Sequence, residues 1–178
     1  MFKVSSLALA ALLATTGMAQ AVTYNYAGNT SGAPTYNRAF EDFSALSAFG
    51  VNVNYQSLAF SVSASGSYTF VSAASGGWDN FLFLYGPSFI PAAPLSNGLI
   101  GNDDLAGFVN SSGFTYALTA GALYVAVTTG FLGGVDFGAY ANSITGPGAV
   151  TVLPEPGSSG LMALGLAMVG LAARRTRA

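Results

Sequence analysis

The side chains of this chain that could do chemistry are carboxylates, tyrosines, hydroxyls and a single arginine. The 178-residue sequence has no cysteine and no histidine, which removes disulfides, zinc sites of the usual kind, thiol nucleophiles and serine–histidine relays. Between residues 22 and 153 the only basic side chain is Arg38, and the acidic ones are Glu41, Asp42, Asp79, Asp103, Asp104 and Asp136. This body carries a net charge of −5, so it is not expected to bind nucleic acid.

Three aspartates next to turn residues are candidates for a metal site. Asp79 follows Gly76-Gly77-Trp78, and Asp103 and Asp104 follow Gly101-Asn102. Carboxylates, an Asn side chain and backbone carbonyls are oxygen ligands that suit Ca²⁺. No cofactor is expected except calcium, and only if the fold brings these aspartates together. The alternative is that each carboxylate bonds the backbone of its own turn, because the chain has no EF-hand spacing and no glycine-aspartate nonapeptide repeat.

Carboxylates also offer one catalytic alternative, a glycosidase pair. Such enzymes place two carboxyl groups roughly 5 to 9.5 Å apart across a cleft. Glu41 and Asp42 are neighbours, and neighbours in an extended chain point to opposite faces. Glu41 with Asp136 or Asp79 has no pattern in its support, so we expect that the chain is not an enzyme. Sugar binding is a further alternative, in which Trp78 or tyrosine rings stack on a sugar; the sequence leaves both an exposed and a buried Trp78 open.

Strands must position these side chains. Apolar residues alternate with small or polar ones from about residue 51, as in the segment 58–62, and residues 81–85 form a continuous apolar run. Alternation of period two indicates half-buried strands, the continuous run indicates a central strand, and Gly-, Asn- and Ser-rich turns separate these runs. The pattern predicts an all-β fold, an antiparallel, jelly-roll-like β-sandwich over residues 22–153. Residues 22–50 are less regular and are expected to hold an edge strand, with one helical turn or a loop at 40–46.

Residues 1–21 have the organisation of a secretory signal peptide. Lys3 precedes a short apolar run at residues 4–13, and Ala19-Gln20-Ala21 is an A-x-A cleavage site. We expect a signal helix here and cleavage by signal peptidase after Ala21. The alternative is an uncleaved membrane anchor, for which the apolar run is short.

Residues 154–178 have three parts, which are Pro154-Glu155-Pro156, an uncharged apolar stretch at 157–173, and a basic end with Arg174, Arg175 and Arg177. About 17 residues make roughly 26 Å of helix, a marginal but adequate transmembrane helix. The arginines are expected to remain in the cytoplasm, which places the body on the other side of the membrane. The prolines could merely start a helix, but the three parts in this order resemble the PEP-CTERM sorting signal. The resemblance implies recognition by an exosortase, a membrane transpeptidase-like enzyme, and removal of the tail.

Part of the body resembles the bacterial pre-peptidase C-terminal domain. The segments that carry this resemblance are 66–70, 78–85, 101–104 and 118–128. It covers about residues 55–152, and the chain departs from the family pattern at 131–136. The resemblance implies a small β-sandwich that acts as a non-catalytic accessory or binding module.

These observations predict an exported protein, anchored in the inner membrane before processing and then located at the cell surface or in the extracellular matrix. Its expected partners are signal peptidase and exosortase during export, the membrane through the C-terminal helix, and extracellular polysaccharide. The favoured hypothesis is a non-catalytic structural or binding sandwich. The alternative is a secreted carbohydrate-active hydrolase, or a sugar-binding module, that uses carboxylates and exposed aromatic rings.

Overall fold

A computed structural model describes residues 20–105 and 107–154 of the chain. The predicted signal helix, the transmembrane helix at 157–173, and the site residues Ala19, Glu155, Pro156, Arg174, Arg175 and Arg177 lie outside the described residues. Those features remain predictions. In the part that is described, no helix has the length and apolar character needed to cross a membrane.

The described residues form ten strands in two antiparallel sheets. The four-stranded sheet has the order β1 (Val22–Asn29), β9 (Ala139–Gly146), β4 (Gly66–Ala74), β7 (Ser111–Leu118). The six-stranded sheet has the order β10 (Val150–Val152), β3 (Val53–Val62), β8 (Tyr124–Gly130), β5 (Asn80–Tyr85), β6 (Gly98–Asn102), and the short β2 (Thr35–Tyr36) pairs with the start of β3. After β3, each strand lies in the opposite sheet to the strand before it, except that β5 and β6 are neighbours in the six-stranded sheet. The all-β antiparallel expectation is confirmed, and β1 is an edge strand as predicted.

The main core lies between the two sheets. Its buried cluster includes Phe60, Leu82 and Leu84 from the six-stranded sheet and Phe70 and Ile144 from the four-stranded sheet. These residues occupy alternate positions on their strands, which is why the sequence shows period two there.

Strand β5 is buried on both faces, which explains its continuous apolar run. Leu82 and Leu84 point to the main core, whereas Phe81, Phe83 and Tyr85 belong to a second cluster on the other side of the sheet. Irregular segments cover that side. Within them, Phe43 packs 5.4 Å from Phe83, and Phe89 packs 4.8 Å from Tyr85, between ring centroids.

The segment 40–46, which the sequence left open between a helical turn and a loop, is a loop. It is closed by a bridge between Ala39 and Leu46. Asp42 accepts hydrogen bonds from the backbone N and the Oγ of Ser44, at 3.0 and 2.6 Å. Such a side-chain bond to the backbone two residues on satisfies a turn without a helix.

Candidate functional site

The three predicted metal-ligating aspartates meet at one end of the six-stranded sheet. Asp79 directly precedes β5, while Asp103 and Asp104 directly follow β6. Because β5 and β6 are antiparallel neighbours, with Leu82 opposite Asn102, the start of one and the end of the other share the same edge. One carboxylate oxygen from each of the three aspartates lies within 4.8 Å of the others. We call Asp79, Asp103 and Asp104 the carboxylate cluster.

Burial and mutual repulsion make ionisation of this cluster costly. Burial, with the nearby charge of Asp136, raises the pKa of Asp79 to about 6. Burial, with the nearby charge of Asp79, raises the pKa of Asp103 to about 7. One oxygen of each of these two carboxylates is inaccessible and has no hydrogen-bond partner within the described residues. At neutral pH the cluster therefore holds negative charge that is only partly compensated, and either a shared proton or a cation would relieve it.

Two further carboxylates, which sequence reasoning did not assign to this site, fix the backbone around the cluster. Glu41 Oε1 accepts a hydrogen bond from the backbone N of Asp103 at 2.7 Å. Asp136 accepts from the backbone N of Asp79 at 3.1 Å and from that of Leu132 at 2.9 Å. The contacts of Glu41 with Asp103 and of Asp136 with Asp79 join segments about 60 residues apart, so no local pattern could reveal them. The Asn102 side chain, considered as a ligand, instead accepts from the backbone N of Gly113 at 2.8 Å.

Arg38, the only basic side chain of the body, is buried beside the cluster with 1% of its surface exposed. Its Nη2 and Nε donate to the carbonyl of Phe131 at 2.9 and 3.2 Å, and Nη1 donates to the carbonyl of Ala39 at 3.2 Å. The guanidinium lies over the rings of Phe81 and Phe131, at 4.3 and 4.8 Å from their centroids. Burial lowers its pKa, while the charges of Asp103 and Asp79 act in the opposite direction. Arg38 thus ties the N-terminal loops to the loop after β8.

An open cavity of about 500 Å³ lies beside this arrangement. Arg38, Glu41 and Asp103 line its polar side. Phe49 and Phe131 line its apolar side, with their rings stacked at 5.6 Å, and Phe49 is 59% exposed. Carboxylates that accept hydrogen bonds next to an exposed ring can bind a polar ligand that also has an apolar face.

Trp78 does not offer a stacking platform for sugars. It is 7% exposed, and its Nε1 donates to the carbonyl of Ala139 at 3.1 Å. The ring packs on Gly138, where a Cβ atom would lie 2.7 Å from that Nε1. The exposed aromatic rings that line the cavity are those of Phe49 and Phe40 instead.

Comparison with known proteins identifies the C-terminal motif. Residues 152–177 match the PEP-CTERM protein-sorting motif, so the sorting resemblance is confirmed. The motif implies an exported protein that is membrane-anchored until an exosortase processes it. Among curated proteins, none matches the sequence.

Several solved structures have a similar fold. The pre-peptidase C-terminal domain of a collagenase from Bacillus anthracis is 12% identical, with 69% of this chain and 89% of that chain covered and a TM-score of 0.43. A family 35 carbohydrate-binding module, from Abf62 of Cellvibrio japonicus, is 14% identical, with coverages of 76% and 99% and a TM-score of 0.41. A periplasmic inhibitor of g-type lysozyme from Aeromonas hydrophila is 11% identical, with coverages of 79% and 93% and a TM-score of 0.37. Likenesses of this degree identify neither a ligand nor an activity for this chain.

Proposed function

We propose that this protein is a non-catalytic binding or structural module of the cell surface or extracellular matrix, delivered there through exosortase sorting. The observation that carries the proposal is the match of residues 152–177 to the sorting motif. The order of the chain agrees with it, because the first strand begins at Val22, directly after the predicted cleavage at Ala21. The body between these ends then acts outside the cytoplasm.

The cavity beside Arg38 is the proposed ligand site, and a sugar of an extracellular polysaccharide is the proposed ligand. A sugar ring has an apolar face and a rim of hydroxyls. The exposed Phe49 ring, supported by Phe131, suits the apolar face, and the Glu41 and Asp103 carboxylates suit the hydroxyls.

Calcium is the proposed occupant of the carboxylate cluster. One oxygen from each of the three carboxylates lies within 4.8 Å of the others. Asp79 and Asp103 each have a buried oxygen without a hydrogen-bond partner within the described residues. Such a set of oxygens suits calcium, a hard cation that takes oxygen ligands. Burial, together with repulsion between carboxylates, raises the pKa values of Asp79 and Asp103, and a bound cation would offset both effects. Calcium would then stabilise the turns that carry Asp103 and the neighbouring cavity wall.

A pull-down on the exopolysaccharide of the producing cells tests the binding site. Protein recovered from those cells is expected to be retained, and Phe49→Ala is expected to lose most of the retention. Phe108→Ala is the matched control, because Phe108 is 65% exposed but does not line the cavity. If no fraction of the polysaccharide retains the wild-type protein, the sugar-binding proposal is wrong and only a structural role survives.

A retaining glycosidase is the second candidate, because the spacing within the carboxylate cluster is close to the roughly 5 to 5.5 Å of such pairs. The raised pKa of Asp103, about 7, would also suit a general acid. Against it, Asp103 lines the cavity but Asp79 does not, so the two carboxylates do not face a bound glycan there together. Glycan hydrolysis that disappears in both Asp79→Asn and Asp103→Asn, with the fold intact, would replace our proposal with this one.

A further inference from the structure

The sorting motif overlaps the folded body rather than following it on a spacer. Val152 is the last residue of β10 and also the first residue of the matched motif. Leu153 donates its backbone N–H to the carbonyl of Ala59 on β3 at 2.8 Å. Pro154, the first residue of the Pro-Glu-Pro tripeptide, comes next in the chain.

Strand β10 is held against β3 along its whole length. Val150 lies opposite Val62, Thr151 opposite Ser61, and Val152 opposite Phe60. One residue earlier, Ala149 accepts from the backbone N of Ser63 at 3.0 Å and donates to its Oγ at 2.8 Å. The backbone from Ala149 to Leu153 is therefore engaged up to the edge of the tripeptide.

A transpeptidase-like enzyme needs the residues around the cleaved bond in an extended form with their backbone groups available. Extended peptides are commonly recognised through those groups, as an added strand. In β10 the backbone groups on one side of the strand are already paired with β3, and the sandwich stands directly beside them. We propose that β10 must leave β3 before the tail can be removed, so that extended backbone clear of the sandwich precedes the tripeptide when the exosortase engages it. This inference rests on the proposed exosortase processing.

The fold makes this release feasible. β10 is an edge strand of three residues, with Val150 half-buried and Thr151 and Val152 exposed. Short edge segments with few buried contacts open far more readily than core strands. After release, β3 still pairs with β8 on its other side, and Phe60 and Val62 keep their places in the main core.

An engineered disulfide across β10 and β3 tests the inference, since the chain contains no cysteine of its own. Ser61→Cys with Thr151→Cys joins directly opposite residues, whose Cα atoms in an antiparallel pair lie about 4.5 to 5.5 Å apart, within the range that disulfides accept. In cells that process the wild-type protein, the locked protein is expected to retain its tail, as read by intact mass. A reductant is expected to restore processing.

Two companion variants separate strand release from a folding or export defect. The first variant is the locked protein with a flexible Gly-Ser linker inserted between Leu153 and Pro154. A linker of about six residues spans roughly 14 Å, and it is expected to restore tail removal. A control lock between Thr69→Cys and Thr115→Cys, whose native hydroxyls are 3.0 Å apart on β4 and β7, is expected to be processed normally.

The inference is overturned if the protein locked at β10 is processed as efficiently as wild type, or if the linker does not rescue it. A wild-type protein that keeps its tail in exosortase-containing cells would instead overturn the proposed processing itself, and this inference with it.

Discussion

Removing one charge from the carboxylate cluster should stabilise the protein at neutral pH. Asp103→Asn keeps the size of the side chain, and the backbone N–H of residue 103 can still donate its hydrogen bond to Glu41. It removes the negative charge that repels Asp79, and the new amide can donate to a neighbouring carboxylate. The pKa of Asp103 is raised in the folded state, so the folded protein binds more protons than the unfolded chain between about pH 4 and pH 7. Stability of the wild type is therefore lost over that window as the pH rises.

The size of the effect follows from the pKa shift, reduced for exposure. A shift of about three units corresponds to at most about 4 kcal/mol at pH 7.5. Asp103 is only partly buried and its titration is coupled to that of Asp79, so solvent screening and shared repulsion reduce this to about 1 to 2 kcal/mol. For a domain of this size, that difference corresponds to a rise in Tm of about 4 to 8 °C.

Thermal unfolding in the presence of a chelator, at pH 4 and at pH 7.5, measures this difference. Asp103→Asn should gain over the wild type at pH 7.5 and match it at pH 4. Asp42→Asn is the control, because two bonds from Ser44 lower the pKa of Asp42, so removal of its charge should bring no gain. With calcium about 100-fold above its Kd, the wild type should gain about 2.7 kcal/mol and the Asp103→Asn variant markedly less.

A lower stability of Asp103→Asn than of the wild type at pH 7.5 would mean that the Asp103 carboxylate is satisfied in the folded protein. An equal gain at both pH values would mean that the gain does not come from removal of a charge. Either result would contradict the predicted electrostatic effect. An equal calcium response in wild type and variant would remove calcium from the cluster but would leave the electrostatic account intact.

Three further predictions concern buried side chains. Trp78 is the single tryptophan and is buried, so its fluorescence should be blue-shifted and protected from iodide; emission like that of free tryptophan would place the ring at the surface. Arg38→Met leaves the Phe131 carbonyl without its donors and should lower the free energy of unfolding by about 1 to 3 kcal/mol in denaturant titrations; an unchanged midpoint would show that these bonds contribute nothing. Phe83→Ala should cost about 3 to 5 kcal/mol, whereas Phe108→Ala, at an exposed ring, should cost less than about 0.5 kcal/mol; equal costs would contradict the assignment of the second cluster.

The strands of the sandwich could be predicted because their burial is regular. β3 and β4 place alternate residues in the main core, so the period of two is written in their sequences. β5 could be predicted as a central strand from its continuous apolar run. The cover over its outer face could not be predicted, because Phe43 and Phe89 belong to irregular segments without any period.

The candidate site, like the fold, could be predicted from the sequence only in part. The turns that carry Asp79 and Asp103 were visible as Gly-Gly and Gly-Asn signals. The sequence left open whether these aspartates would lie close together, and in the structure they do. The roles of Glu41 and Asp136 were not visible, because both bind backbone groups far away in the sequence. The burial of Trp78 depends on Gly138, which lies 60 residues further along the chain and leaves room for the ring.

We propose that this protein is exported, trimmed at both ends and left outside the cell as a β-sandwich. The decisive experiment is an intact-mass measurement of the protein recovered from its own cells. We expect a chain that begins at Val22 and ends near Pro156, with any transferred group attached there. A chain that still contains Arg174, Arg175 and Arg177 would contradict processing by an exosortase, and one that still begins at Met1 would contradict export through a cleaved signal peptide.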